Sequence, residues 1–547
     1  MKKTKRYCIM GIITFIVAFI YYYVTLPAIN IHAAGFWSFI LLGLAVIIIV
    51  LALKDVIKPE HMVENNMLHV DWKEMKLSKL VKFLIGLLIA LIVVYIAGSI
   101  LSSTFVNAKK YQELLTIEER NFTDDIKEVD FNTIPLLDRD SAALLGNRKM
   151  GSMVDMVSQF EVSNEYAQIN YKDNPVRVAP LVYASPIKWL TNQSEGIPAY
   201  IMINMTNQNT ECVKLEQGIK YSKSEYFNRN LYRHLRFRYP TYIFDEQISF
   251  EIGDDDVPYW ICPVKKFNIG LFGGQTVGNV VICNAITGEC TDYPVEDVPQ
   301  WVDKVYSAEL LVNLYDYSGI LKHGYWNSVL GQKDCLQSTN GYNYIALEDD
   351  VWVYTGITSV SGDQSNVGFV LMNQRTMETR YYKVEGAIED SAMSSAEGQV
   401  QNLGYQATFP LLLNIANEPT YFMALKDDAG LVKKYAMVNV QKYQWVAIGD
   451  TVKECEKQYV QLLNTNGIVS ELASDVKTIT GKITAIAPIV LEGNTHYYVC
   501  VDGSEDIFDM DMANQELIGI VKYHEGDMIT LGYNDELGLN PVVKIGR

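Results

Sequence analysis

Histidine is scarce in this chain, seven among 547 residues, and no two stand in a His-x-x-x-His pair. Beyond the first hundred residues only His234, His323, His496 and His524 remain, widely scattered, so a histidine-based zinc or acid–base centre has no motif to rest on. Gly-x-Ser-x-Gly is missing, which removes the hydrolase nucleophile elbow. Gly-Lys-Ser/Thr is missing too, which removes the phosphate-binding loop. "SPIK", Ser185 to Lys188, has the form Ser-x-x-Lys, but no Lys-Thr-Gly accompanies it. The proline after the serine disfavours the helix that would carry Lys188 back to the hydroxyl, so the match reads as chance.

Positive charge is also short, with 46 Lys and Arg against 64 Asp and Glu. The first 103 residues carry ten Lys/Arg and five Asp/Glu, a net of +5, so with −18 for the whole chain the remainder carries −23. A body that acidic repels nucleic acid, and no nucleic-acid partner is expected. Cysteine is sparse and badly spaced for a disulfide scaffold: Cys8 lies in an apolar run and seven others follow at irregular intervals. Cys283 and Cys290 bracket "NAITGE" and can meet across a tight hairpin, as a disulfide or as buried thiols. The acidic clusters Asp254–Asp256, Glu348–Asp350 and "DGSEDIFDMD" lack EF-hand spacing and read as solvated turns. The sequence therefore assigns no catalytic residue, no cofactor and no metal ligand.

What the chain has is apolar length at its start. "YCIMGIITFIVAFIYYYVTL", "FWSFILLGLAVIIIVLAL" and "FLIGLLIALIVVYIAGSIL" each approach the ~20 residues that cross a bilayer as a helix. The first two are joined by the charge-free "PAINIHAAG", and Lys54, Lys58, Lys73, Lys76, Lys79 and Lys82 lie between the second and third. The positive-inside rule keeps "MKKTKR" and the lysine loop in the cytoplasm. We expect three transmembrane helices within 1–104, an N-terminus in the cytoplasm, and an extracytoplasmic body after about residue 103.

That body repeats itself. "AYIMINMTNQNTECVKLEQGIKYS" from Ala199 aligns without a gap with "GFVLMNQRTMETRYYKVEGAIEDS" from Gly368, at an offset of 169 residues. Asn204/Asn373, Thr210/Thr379, Lys214/Lys383, Glu216/Glu385, Ile219/Ile388 and Ser222/Ser391 are identical. Farther on, Pro240 is matched with Pro410 and Tyr259 with Tyr421. Each unit reads as a hairpin, a helix, a set of antiparallel strands and a closing helix, which is an α+β fold. We expect a helical stalk or linker over 105–181, repeats over 182–318 and 350–466, and a connector over 319–349.

In the first unit, Gly270, Gly273, Gly274 and Gly278 crowd into "IGLFGGQTVG" ahead of a valine-rich run. A strand follows rather than a helix, so these glycines build a hairpin connection and not a phosphate cradle. The second unit has the shorter "KDDAGLVKK" at that place. Closure entropy alone predicts that exchanging the loops costs ~1 kcal/mol or less.

The continuation, "GNVVICNAITGECTDYPVED", resembles the closing hairpin of PepSY-type domains, a strand of the form V-x-V-D-A-x-T-G-E. Ala285, Thr287, Gly288 and Glu289 match, and Asn284 replaces the aspartate. The resemblance covers roughly 226–297 and, more weakly, 396–447, where the T-G-E turn is absent. It implies tandem binding or regulatory modules of an extracytoplasmic, membrane-tethered bacterial protein, with no catalytic residues to transfer.

Between the repeats, Trp326, Tyr342, Tyr344, Trp352 and Tyr354 either line a groove for a partner or pack the interface between the units. After residue 466, period-two alternation around glycine turns predicts a small β-barrel of OB type over 467–547. The expected function is a non-enzymatic binding, scaffolding or regulatory protein of the cell envelope. Its partners would be the lipid bilayer and another exported or membrane protein. Two other classes compete: an envelope peptide or glycan hydrolase, and a structural subunit of an oligomeric membrane assembly that self-associates. A cleft lined by converging carboxylates would favour the hydrolase.

Overall fold

The computed structural model describes residues 15–56, 77–128, 134–135, 137–172, 174–360, 365–466, 477–491, 494–504, 506–512, 514–533 and 539–546. The chain divides into two compact units, Met1–Tyr459 and Val460–Arg547.

Two of the expected spans, α2 (Ala34–Val56) and α3 (Lys79–Leu101), are helices long and apolar enough to cross a membrane. Their side chains stay open, with Val50 58% and Phe83 67% exposed, as lipid-facing positions would be. Of the first run only the helix α1, Phe15–Thr25, is described, which is too short for a span by itself. Residues 1–14 and 57–76, which carry the rest of that run and most of the lysine loop, lie outside the described residues.

The expected helical stalk is only partly helical. After α4 (Thr104–Gln112) and α5 (Arg139–Gly151), which Asp138 caps by accepting the Ser141 N–H, the chain turns to strand. β1 (Asn174–Tyr183) and the short strands Phe160–Val162 and Ala167–Tyr171 belong to the first repeat's sheet. "PVRVAPLVY" is a nearly continuous apolar run, which is how a strand covered on both faces reads. The connector likewise gives the strands Leu336–Ser338 and Asn343–Leu347 to the second repeat.

β1 pairs with a hairpin of β2 (Ile197–Asn204) and β3 (Thr210–Ile219). A second such strand, β8 (Asp350–Ser359), pairs with a hairpin of β9 (Gly368–Asn373) and β10 (Thr379–Tyr382). Ile203 faces Thr210 and Met372 faces Thr379, the same register at the 169-residue offset. The hairpins turn the same way because Asn204 and Asn373 each accept two following backbone N–H groups with their side-chain oxygen.

Each hairpin leads to a helix, α6 (Leu231–Arg238) or α8 (Glu389–Gln399). Next come the antiparallel strands β4 (Ser249–Ile252), β5 (Pro258–Ile269), β6 (Gly273–Asn284) and β7 (Cys290–Pro294) in the first unit. The second unit has β11 (Leu411–Ile415), β12 (Glu418–Lys426), β13 (Val432–Asn439) and β14 (Val446–Gly449) in that place. The closing helices are α7 (Ala308–Ile320) and α9 (Val452–Thr465).

Register corrects the matching of single residues. Asn284 and Asn439 start equivalent turns, but Asn284 faces Tyr259 whereas Asn439 faces Thr420. Trp260, rather than Tyr259, therefore occupies the place of Tyr421, and both are buried. Ser249 faces Ile261 as Leu411 faces Phe422, which sets Pro410 over Ile248 and not over Pro240. A one-residue slip would have turned the inward aromatic outward.

The β4–β7 sheet is covered on both faces. Trp260, Cys262, Val281 and Cys283 pack against the first sheet, while Ile261, Val280 and Ile282 share a core with Leu311 and Leu314 of α7 and with Val353, Ile357 and Val370 of the second repeat. The repeats are thus consecutive layers with apolar surface shared between them.

The described part of the second unit is a closed five-stranded barrel of Lys477–Leu491, Asn494–Val501, Ile507–Asp511, Met528–Tyr533 and Leu539–Gly546. The third and fifth strands pair in parallel, and the helical turn Gln515–Lys522 joins the third to the fourth, an OB-like arrangement. Val499, Phe508, Met510, Ile520 and Leu531 fill it.

Candidate functional site

A cleft of about 1120 Å³ opens between the two repeats. α5 forms one wall, the β1 sheet another, and the connector strand with the β11–β14 unit a third. Its rim is ion-paired: Lys426 meets Asp138 at 2.5 Å, and Lys223 is bonded to Glu165. Burial pushes the Asp138 carboxyl up, but the Lys426 ammonium and the Ser141 backbone N–H hold it below its ordinary value.

The interior differs from the rim. Arg177 on β1 is only 6% exposed. Its Nε donates to the Leu137 carbonyl and its Nη2 to Gln168 Oε1, both at 3.2 Å, and no carboxylate pairs with it among the described residues. Burial lowers it to about 10, so it keeps its charge at neutral pH. Gln168, which Arg177 bonds, has its Nε2 buried with no partner among the described residues, and so has the Tyr166 hydroxyl elsewhere on the cleft wall. Lys304 also lines the cleft, and burial pushes its ammonium down. A desolvated guanidinium with neutral partners costs several kcal/mol unless something anionic completes it.

Behind Lys304 lies a buried acid pair, Glu251 and Asp303. Glu251 accepts the backbone N–H groups of Asp303 at 2.9 Å and Lys304 at 3.2 Å, pinning this segment to β4. Burial pushes Glu251 up to about 7, and burial plus the Glu251 charge raises Asp303. Both are sealed from solvent, so they hold the cleft wall rather than face a ligand.

The structure separates the five aromatic candidates. Tyr342 and Tyr344 line the cleft, edge to face with ring centroids 5.8 Å apart. Trp352 and Tyr354 are core residues on β8, 1% and 0% exposed. The Trp352 indole donates to the Leu347 carbonyl under the Arg380 guanidinium, and the Tyr354 hydroxyl donates to the Pro410 carbonyl. Trp326 stands apart, exposed, against Phe105 and Tyr325.

Cys283 and Cys290 face each other directly on β6 and β7, and both carry free thiols. The Cys283 thiol, with help from the His234 ring, holds Cys290 down to about 5 against its burial, while the same contact raises Cys283. Sequence reading left His234 unconnected; α6 brings it here. "SPIK" does form a helix, Pro186–Asn192, because proline suits its first position. Ser185 caps it by accepting the backbone N–H of Lys188, so the hydroxyl serves the fold.

Sequence reading also missed Arg177 and Lys304. Arg177 did carry a signal, a lone charge inside "PVRVAPLV". Nothing local marks Lys304, which only the chain path brings to the cleft. In comparisons with known proteins, neither a family model nor a curated protein matches this chain.

Proposed function

We propose that this chain is a non-enzymatic, membrane-anchored binding protein of the cell envelope, whose inter-repeat cleft grips an anionic group of another exported or membrane protein. The carrying observation is Arg177, a buried guanidinium on the wall of a large cleft that no carboxylate pairs with among the described residues. Tyr342 and Tyr344 supply apolar faces beside it. Of the seven carboxylates that line the cleft, Asp138, Glu165 and Asp427 are paired with Lys426, Lys223 and Lys433, which favours binding over acid–base catalysis at those three. The PepSY resemblance of the first repeat points the same way. Lysine asymmetry around the apolar helices supports a cytoplasmic N-terminus and an outward-facing body.

The test is titration of the full-length protein in detergent with an oligo-glutamate peptide, with oligo-lysine as control. Preferential binding of the acidic peptide is expected, weakened at least about tenfold in Arg177→Met, which corresponds to losing one charge-assisted contact. The same variant should be no less stable, because a buried charge gives way to an apolar chain of similar size. Equal binding by both proteins would overturn the reading. For sidedness, an epitope inserted at Asn207 should bind antibody on intact cells, and one at Asn65 should not.

A further inference from the structure

We propose that His234, Cys283 and Cys290 form a binding site for a single thiophilic metal ion, Zn(II) or Cu(I). One ring nitrogen and the two sulfurs lie within 4.8 Å of one another. A closed-shell ion drawing in two thiolates and an imidazole needs ligand separations somewhat under 4 Å, so small side-chain movements close the set.

The strands place the sulfurs. Asn284 N–H donates to the Glu289 carbonyl at the turn, so the next pair out, Cys283 and Cys290, is a non-hydrogen-bonded pair. That is where facing side chains on antiparallel strands come closest. Gly288 supplies the turn with φ +75°, and a side chain there would strike the Tyr221 ring. The histidine is fixed just as firmly. Its Nε2 donates to the Gly288 carbonyl at 2.7 Å, and its ring packs on Tyr221 with centroids 4.5 Å apart. Cys283 is 0% and Cys290 6% exposed, while His234 faces an opening lined by Tyr23, Arg233 and Phe237 that gives an ion a way in.

The fold itself does not require these thiols. At the equivalent turn of the second repeat, Val438 faces Val446. Soft thiolate ligands with one imidazole select Zn(II) and Cu(I) over hard cations such as Mg(II) or Ca(II).

The test uses the full-length protein in detergent, reduced and then freed of reductant without oxygen. Zn(II) is titrated against a chromophoric chelator, and Cu(I) against a Cu(I)-specific one. One equivalent of at least one ion should bind. Affinity should fall roughly 10–100-fold or more in His234→Asn, and stoichiometric binding should vanish in the double variant Cys283→Val, Cys290→Val. That double variant copies the second repeat, so it should fold, and its unchanged melting temperature is the control. Co(II) should add a thiolate charge-transfer band that the double variant lacks. Binding equal in wild type and double variant overturns the proposal. So does peptide mapping that finds Cys283 and Cys290 joined as a disulfide in protein taken directly from cells.

Discussion

The hydroxyl of Ser102, just past the end of α3, accepts the backbone N–H of Leu271 at 2.8 Å, and that of Phe272 at 3.1 Å. The glycine-rich hairpin loop is therefore the dock between the membrane-type helices and the first repeat. Gly270 and Gly274 have φ of +60° and +62° there, and a side chain at Gly273 would collide with the Ser102 carbonyl and the Tyr111 hydroxyl. His32, in the turn between α1 and α2, donates to the Leu271 carbonyl at 2.8 Å, and the Phe272 ring lies 5.1 Å from that of Tyr95. Below this, the Ile29 N–H donates to the Pro240 carbonyl and Arg236 Nε to the Leu26 carbonyl.

This reverses the expectation that the loop is freely exchangeable. Substituting the shorter "KDDAGLVK" removes the Ser102, His32 and Phe272 contacts along with the extra residues. Ser102→Ala leaves two backbone donors without their acceptor, at a cost of about 1–3 kcal/mol. Gly273→Val should cost more, because backbone must move. Thermal unfolding of the full-length protein in detergent should fall for all three, most for Gly273→Val and the swapped loop. Unchanged melting in the swapped loop would mean the dock is incidental.

The aromatic residues of the connector region should divide by burial. Trp352→Ala opens a core cavity and strips a ring from under Arg380, so a loss of about 3–5 kcal/mol is expected in denaturant unfolding. Trp326→Ala, at a 64% exposed position, should stay within about 0.5 kcal/mol. Similar losses for both would contradict the assignment of Trp352 to the core.

Local pattern made much of the architecture legible. Apolar length marked α2 and α3, alternation marked the hairpins, and asparagine or glycine marked their turns. The gapless match around Asn204 and Asn373 carried the register of those hairpins correctly, because each asparagine fixes its own turn. The Pro240–Pro410 and Tyr259–Tyr421 matches failed because each rested on one residue across segments of unequal length. The site was less legible for a different reason. Arg177, Lys304 and Tyr344 meet only through packing of separate layers, as do His234 and Cys290, and no spacing along the chain encodes such meetings. The glycine loop was read as a hairpin correctly, but its docking partner lies on another element entirely.

The buried acid pair gives stability a definite pH dependence. In the unfolded chain both carboxyls ionise near pH 4. In the folded chain burial carries Glu251 to about 7, and burial with the Glu251 charge raises Asp303. Between those limits the folded state binds more protons than the unfolded one, so stability is greatest at the acidic end of this window and falls as pH rises toward neutrality. Asp303→Asn removes one member of the pair while keeping an oxygen to accept the Asn170 N–H, which Asp303 Oδ2 accepts at 2.7 Å. The proton that Asp303 takes up on folding is lost with it, and only Glu251, raised by its own burial, still contributes to the slope. The variant should therefore melt higher than wild type near pH 7.5, and its melting temperature should vary less between pH 5.5 and 7.5. Measured across that range in detergent, a wild-type melting temperature that rises with pH, or an Asp303→Asn profile parallel to wild type, would show that the pair is not what sets the slope.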